Sequence, residues 1–162
     1  MGHKLAVVFM IASAACTTSI AYPADETQAI TFSLNNATSR EAATVLHTIA
    51  GTKNLEAADD HTITVRDTQE KLELATAVVK MLDTTDGSAD TTPLSAGDGS
   101  VIVAVILKHA SSGEVIVALQ KELQIARSAG AGEKRVFLRD TDSRVQAALK
   151  VIERLERNHE HS

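Results

Sequence analysis

Leu34-Asn35-Asn36-Ala37-Thr38-Ser39-Arg40-Glu41 and Leu107-Lys108-His109-Ala110-Ser111-Ser112-Gly113-Glu114 decide how this chain is read. They stand 73 positions apart, Leu34 to Leu107, and the same shift lays the rest of the sequence on itself without a gap. Leu46 falls on Leu119, and Arg66-Asp67-Thr68 on Arg139-Asp140-Thr141. Ala75, Val78 and Leu82 fall on Ala148, Val151 and Leu155. Separated matches at a single offset predict an internal duplication, which sets the architecture before any one element does.

Each copy carries the same order of signals. Ile30, Phe32 and Leu34 alternate with polar neighbours, the period of a half-buried strand. Thr38-x-x-Glu41 and Ser111-x-x-Glu114 are capping boxes, in which a hydroxyl and a carboxylate satisfy free amides at a helix start. Ala42, Val45, Leu46 and Ile49 then share one helical face, with Gly51 as the stop. Asn54 to Ala57 reads as a weak strand, Ala58 to His61 as a turn, and Ile63 and Val65 as the inward residues of a third strand. Asp67 or Thr68 caps a second helix with Leu72, Ala75, Val78, Val79 and Leu82 on its core face. In the second copy Val101 to Leu107 is a continuous apolar strand, covered on both faces or at an interface. Val115, Leu119 and Leu123 mark its first helix, Arg135 to Arg139 a strand, and Val145, Ala148, Leu149, Ile152 and Leu155 its last helix. Ser128 to Glu133 is Gly-rich but opens no helix, so it reads as a turn.

The predicted fold class is therefore α+β, two tandem βαββα modules joined by a flexible linker. The expected boundaries are a signal peptide over 1–21, a leader over 22–29, the copies over 30–83 and 101–157, the linker over 84–100 and a polar tail over 158–162. The linker is small, polar and acidic and cannot bury enough surface to offset its ordering entropy. Units of about 55 residues are near the lower limit for an independent core, and three-stranded sheets keep open edges. Both favour docking, between the copies or onto other subunits.

The chain begins with a short basic head, Met1 to Lys4, and an apolar run from Leu5 to Ala15, the pattern of an export signal. Ser19-Ile20-Ala21 places cleavage after Ala21. Ser13-Ala14-Ala15-Cys16 resembles a lipobox, departing from it at Ser13, and makes Cys16 a lipidation candidate. Lipidation would tether the protein to a membrane and make it an outer-membrane lipoprotein. Otherwise it is a free periplasmic or exported protein. Loss of Lys4 takes the net charge from −5 to −6. An acidic chain with 2% aromatic residues lacks the basic stripe and the stacking platform that a nucleic-acid partner requires. One cysteine allows neither an internal disulfide nor a multi-cysteine metal site.

The repeated pattern of an alternating strand, Ala-[Thr/Ser]-Ser-x-Glu opening a helix, a strand ending Arg-Asp-Thr, and a helix ending in Leu plus an acid resembles the periplasmic N-domains of bacterial secretins. Here these are Ala37 to Glu41, Ile63 to Thr68 and Leu82-Asp83, then Ala110 to Glu114, Val136 to Thr141 and Leu155-Glu156. The resemblance implies a KH-like βαββα fold and N-domains that stack into rings in type II and III secretion and type IV pilus systems. The KH Gly-x-x-Gly clamp is absent from both copies. On the sequence to Ser162, no β-rich pore domain is expected after the second copy. The resemblance therefore implies an accessory subunit or a self-associating homo-oligomer with protein partners, and no channel of its own.

Arg66 and Arg139 are the candidate interaction residues, expected to project from strand ends. The competing reading makes each Arg-Asp-Thr a plain strand end and helix cap. His159-Glu160-His161 sit in a tail without a third ligand at fixed geometry, and His47, His61 and His109 are isolated, so no metal site is assigned. No Gly-x-Ser-x-Gly, P-loop or Gly-x-Gly-x-x-Gly is present, and neither a catalytic residue nor a cofactor is assigned. The expected function is an exported, non-enzymatic protein–protein interaction module of the cell envelope, accessory to a secretin-like secretion or pilus assembly. The alternative is a small periplasmic ligand-binding or envelope-stress adaptor on the same fold.

Overall fold

Alternation of apolar and polar residues builds the first sheet. The computed structural model describes residues 27–84 and 93–161. Strands β1 (Gln28–Ser33), β2 (Asn54–Asp59) and β3 (Thr62–Asp67) lie in the antiparallel order β1-β3-β2. β1 begins two residues before the expected copy boundary at 30. Ile63 and Val65 are fully buried on one face of β3. On the other, the Thr31 and Thr64 hydroxyls meet at 2.9 Å.

Helices α1 (Ser39–Val45) and α2 (Gln69–Leu82) cover the apolar face. The capping box of α1 forms as the sequence predicts: the Glu41 amide donates to the Thr38 hydroxyl at 3.3 Å, and the Thr38 amide to the Glu41 carboxylate at 2.9 Å. Thr38→Ala is expected to cost about 1 kcal/mol, the usual worth of such a cap, read as a lowered urea midpoint at unchanged slope. The expected single helix to Gly51 is not regular. α1 ends at Val45, and Leu46–Ala50 widen into a π-helical turn that closes on Gly51 at φ 72°, where a side-chain-bearing residue would be strained. The closure lets the Thr52 amide bond back to the Leu46 carbonyl at 3.3 Å. Thr68 is the cap residue of α2 without a side-chain cap bond; its amide donates instead to Asp67 at 2.9 Å.

The second half contains β4 (Leu94–Ser95), β5 (Val101–Ile106), α3 (Ser112–Leu123), β6 (Ser128–Ala131), β7 (Arg135–Asp140) and α4 (Asp142–Glu160). Its antiparallel sheet has the order β4-β5-β7-β6. Three sequence expectations are corrected here. Residues 94–100 are not linker: Leu94 and Ser95 pair with Ile102 and Val101, and the Ala96 amide closes a turn on the Ser100 carbonyl at 2.9 Å. Residues 85–92 lie outside the described residues. The Gly-rich Ser128 to Ala131 is itself a strand, and a Cβ on Gly130 would stand 3.0 Å from the Ser112 hydroxyl at the start of α3. The helix expected to end before a tail at 158 continues to Glu160.

Tertiary bonds recur at the 73-residue spacing. The Leu34 and Leu107 amides donate to the His61 and Lys134 carbonyls, each at 2.7 Å. The Ser39 and Ser112 amides donate to the Asp60 and Glu133 carbonyls, also at 2.7 Å. β1 pairs with β3 from Gln28↔Asp67, and β5 with β7 from Val101↔Asp140.

The halves stack. Ala42, Val45, Leu46 and Ile49 share one apolar cluster with Ile102, Ala104, Ala129, Ala131 and Phe137 from the far face of the second sheet. α1 touches β6, and the π-helical turn touches β6 and β7. The near face of that sheet, with Val136 and Leu138, packs on Val115, Leu119, Ala148 and Ile152. The order of layers is sheet, helices, sheet, helices. This explains the unbroken apolar run of β5: it is covered on both faces, as expected for such a strand.

Candidate interaction site

Arg139 is the most constrained polar side chain of the stack. It is only 7% exposed. Its Nη1 donates to the Ile49 carbonyl at 2.7 Å, its Nε to the Ser100 hydroxyl at 2.9 Å and its Nη2 to Asp98 at 2.8 Å. Asp98 has its pKa lowered to about 2, first by the Ser100 hydroxyl, then by the Ser100 amide, with Arg139 adding to both. The expectation that Arg139 projects outward is therefore corrected. Its neighbour Phe137 draws that face onto the first helix layer, and the guanidinium ties the two halves together.

Arg66 stands at the corresponding place in the first sheet and is exposed. Its guanidinium makes no hydrogen bond or ion pair with the described residues. The two arginines that the sequence treats alike thus have opposite surroundings: one is locked inside the stack, the other faces solvent.

A second pair of polar sites holds each half together. The Asp83 carboxylate accepts the amides of Asn35 at 2.9 Å, Asn36 at 2.7 Å and Ala37 at 3.3 Å. The Glu156 carboxylate accepts those of Lys108 at 2.8 Å, His109 at 3.0 Å and Ala110 at 2.8 Å. In each half an acid of the second helix, Asp83 at the end of α2 and Glu156 inside the last turns of α4, therefore fastens the loop that starts the first helix, and the expectation that the second copy's helix ends at Leu155-Glu156 is corrected. Sequence reasoning noted the acid after Leu82 and Leu155 but gave it no role. Burial pushes both carboxyls up, but the amide hydrogen bonds together outweigh it, and both pKa values end below their usual range. A group whose pKa falls on folding stabilises the fold above its unfolded pKa, about 4 for a carboxyl, and gives this up as pH falls through the folded value. The melting temperature is expected to be flat from about pH 8 to 5 and to fall below about pH 4. Asp83→Asn/Glu156→Gln is expected to flatten the acid limb; an unchanged acid limb in that variant would remove the anchoring role.

The described histidines do not converge. His47 is exposed, with its Nδ1 3.1 Å from the Thr52 carbonyl, and His61 Nδ1 is 3.1 Å from the Ala37 carbonyl. His109 is exposed. His159 lies on α4, its Nε2 3.7 Å from Glu114, which corrects its placement in a tail. Among the described residues no group of three His, Cys, Asp or Glu side chains is placed to hold a metal ion. No described helix is long and apolar enough to cross a membrane. A cleft of about 320 Å³ opens between the halves beside Asn36, Glu41, Lys134 and Arg135. Three of its charged side chains are engaged, Glu41 in the capping box, Lys134 on the His109 and Ala110 carbonyls and Arg135 on the Leu82 and Thr84 carbonyls, while Glu133 also lines it. Cys16 and the cleavage position after Ala21 lie outside the described residues.

No family model and no curated protein matches the chain. Among solved structures it has a weak structural similarity to a secretin. That protein is GspD of the type II secretion system of E. coli K12, determined by cryo-electron microscopy. The identity is 16%, the TM-score 0.31, and the match covers 81% of this chain and 25% of that one. The chain thus spans about a quarter of that secretin's length.

Proposed function

We propose that this chain is an exported, non-enzymatic protein–protein interaction module of the bacterial cell envelope. In this reading it consists of two copies of one secretin N-domain-like βαββα unit. It acts in the periplasm as an accessory to a secretin-like secretion or pilus assembly. The observation that carries the proposal is the recurrence of one bonding scheme 73 residues on. The second-helix acid on the loop amides, the capping box and the strand register each occur in both halves. Chance resemblance of two unrelated small domains does not reproduce bonds at a fixed spacing. The polar groups of this scheme hold loops and layers, which suits a scaffold that presents surfaces.

The test is chemical cross-linking of the tagged chain in its host, followed by identification of what is joined to it. The proposal expects an outer-membrane secretin-like protein, and a mature N-terminus at Tyr22 or at a lipid-bearing Cys16. A chain that stays monomeric by light scattering, joins no protein and gains several degrees of melting temperature from a small molecule would support the ligand-binding adaptor instead.

A further inference from the structure

We infer that the chain forms a symmetric dimer by pairing the free edge of β1 with β1 of a second copy. This rests on the reading of the chain as an interaction module. The two sheets have four edges among the described residues, and three of them are blunted in ways that discourage strand addition. β2 carries Glu56 and Asp59 and a register shift between Ala57 and Asp59. β4 is only two residues long. β6 has four residues, with α1 and α3 packed against it. β1 has six residues, Gln28–Ser33, with no charge, no proline and no register shift. The Leu34 amide bonds the His61 carbonyl on the β3 side. By alternation the N–H and C=O groups of Ala29, Thr31 and Ser33 point away from β3, to the open edge.

The second half closes the corresponding edge with its own chain. There β4 pairs with β5 through a turn that the Ala96 amide closes, with Gly97 and Gly99 at φ 80° and 81°. The residues 73 positions earlier are Pro23, Ala24 and Glu26. Proline has no amide to close that turn, and side-chain-bearing residues are disfavoured at positive φ. The first half thus lacks the sequence for such a strand, and its edge is left for another chain.

A second β1 fits that edge by pattern and by charge. A two-fold axis through Thr31, perpendicular to the sheet, sets Thr31 against Thr31, Ile30 against Phe32 and Ala29 against Ser33 of the second copy. Ile30 and Phe32 are half-buried against the first core and extend one apolar layer across the axis. Thr31, bonded to Thr64 at 2.9 Å, extends a row of hydroxyls on the other face. The charges of the sheet, Glu56, Asp59, Arg66 and Asp67, all sit on β2 and β3, away from the axis. α2 lies over β1 and β3, and α1 over β2 and β3. α2 starts beside Asp67, which is opposite Gln28, and ends at Asp83, which binds Asn35, so Thr76 stands level with Thr31. The axis therefore lays α2 antiparallel to its copy at two strand spacings, roughly 10 Å, a usual helix-packing distance. Glu73 and Lys80 are exposed on either side of Thr76, and the antiparallel arrangement puts each Glu73 beside Lys80 of the other copy. Among the described residues Lys80 has no carboxylate partner within its own chain. The other charges of the helix are placed elsewhere: Lys71 on Asp67 at 3.4 Å, Asp83 on the loop amides and Glu70 beside Gly97.

The experiment measures the mass of the purified full-length chain by light scattering over a concentration series, together with disulfide trapping of Thr31→Cys and Thr64→Cys, each in a Cys16→Ser chain. A dimer is expected. Thr31→Cys should trap it, because the two Cα atoms of a bonded pair stand about 5.5 Å apart, within disulfide reach. Thr64→Cys should not, because three strand spacings hold its copies roughly 14 Å apart. Thr31→Lys sets like charges against each other on the axis and is expected to weaken the dimer about tenfold or more, while the chain stays folded by circular dichroism. Glu73→Lys and Lys80→Glu are each expected to weaken it about threefold, and the two together to restore it. A chain monomeric at every concentration, a dimer indifferent to Thr31→Lys, equal trapping from both cysteines, or a double exchange weaker than either single one would overturn the inference. A monomer that still cross-links to an envelope protein in its host would overturn it and leave the interaction reading intact. A β1-paired dimer that joins no envelope protein would uphold it and count against the accessory reading.

Discussion

Phe137→Ala is expected to destabilise the whole chain by about 3–5 kcal/mol, the usual cost of emptying a fully buried aromatic site. Phe137 has no exposed surface, and it lies in the cluster that joins the second sheet to the first helix layer. The cavity would open between Ile102 and Ala104 on one side and the Leu46 and Ile49 region on the other, so both halves lose packing at once. Equilibrium urea unfolding should show one transition with a much lower midpoint. Phe137→Leu keeps most of the volume and should cost less than about 1.5 kcal/mol. A loss below about 1 kcal/mol for the alanine variant would mean that the halves do not depend on this contact.

Arg139→Ala is expected to cost about 2–3 kcal/mol, because it leaves the buried Ile49 carbonyl without its donor. Arg66→Ala, a change at an exposed and uncommitted side chain, should stay within about 0.5 kcal/mol. The comparison is informative because both arginines sit in the same Arg-Asp-Thr motif. Asp98 is half exposed, so its ion pair with Arg139 contributes little by itself, and the carbonyl contact carries most of the difference. Equal effects of the two substitutions would contradict the different placement of the two side chains.

Much of this fold is legible in the residues, for reasons that are local. The capping boxes at Thr38 and Ser111 act over three residues, and the period of Ile63 and Val65 needs only one strand. Gly51 stops its helix because only the backbone at that position decides it. What local pattern does not express is which face meets which. Arg66 and Arg139 have identical immediate C-terminal neighbours, and the signals that one face is covered lie elsewhere, in Phe137 where the first copy has Thr64 and in the unbroken apolar run of Val101 to Leu107. β6 was hidden because Ser128-Ala129-Gly130-Ala131 has no alternation and no β-branched residue; its pairing with β7 and the close pass of α3 at Gly130 make it a strand. β4 was hidden for a similar reason: two residues have no period, and Leu94 is ordered by the core it packs against. The widening of α1 into a π-helical turn has no signal in the periodicity, which continues through Ile49 as for a regular helix.

The candidate interaction residues divide in the same way. Chain-local reasoning singled out both arginines, and it also noted the acids at Asp83 and Glu156 without seeing that they bind loops 46 to 48 residues away in sequence. Such long-range bonds are visible from sequence only through the duplication, because the same acid and the same loop recur at one spacing.

Hydrogen exchange along a urea titration, followed peptide by peptide in each half, tests the central claim of a single layered stack. Segments carrying Ile63–Val65 and Val136–Leu138 are predicted to lose protection at the same urea concentration, and Phe137→Ala to shift both together. Protection of one half surviving well beyond the other, with the Phe137→Ala shift confined to the second half, would contradict it.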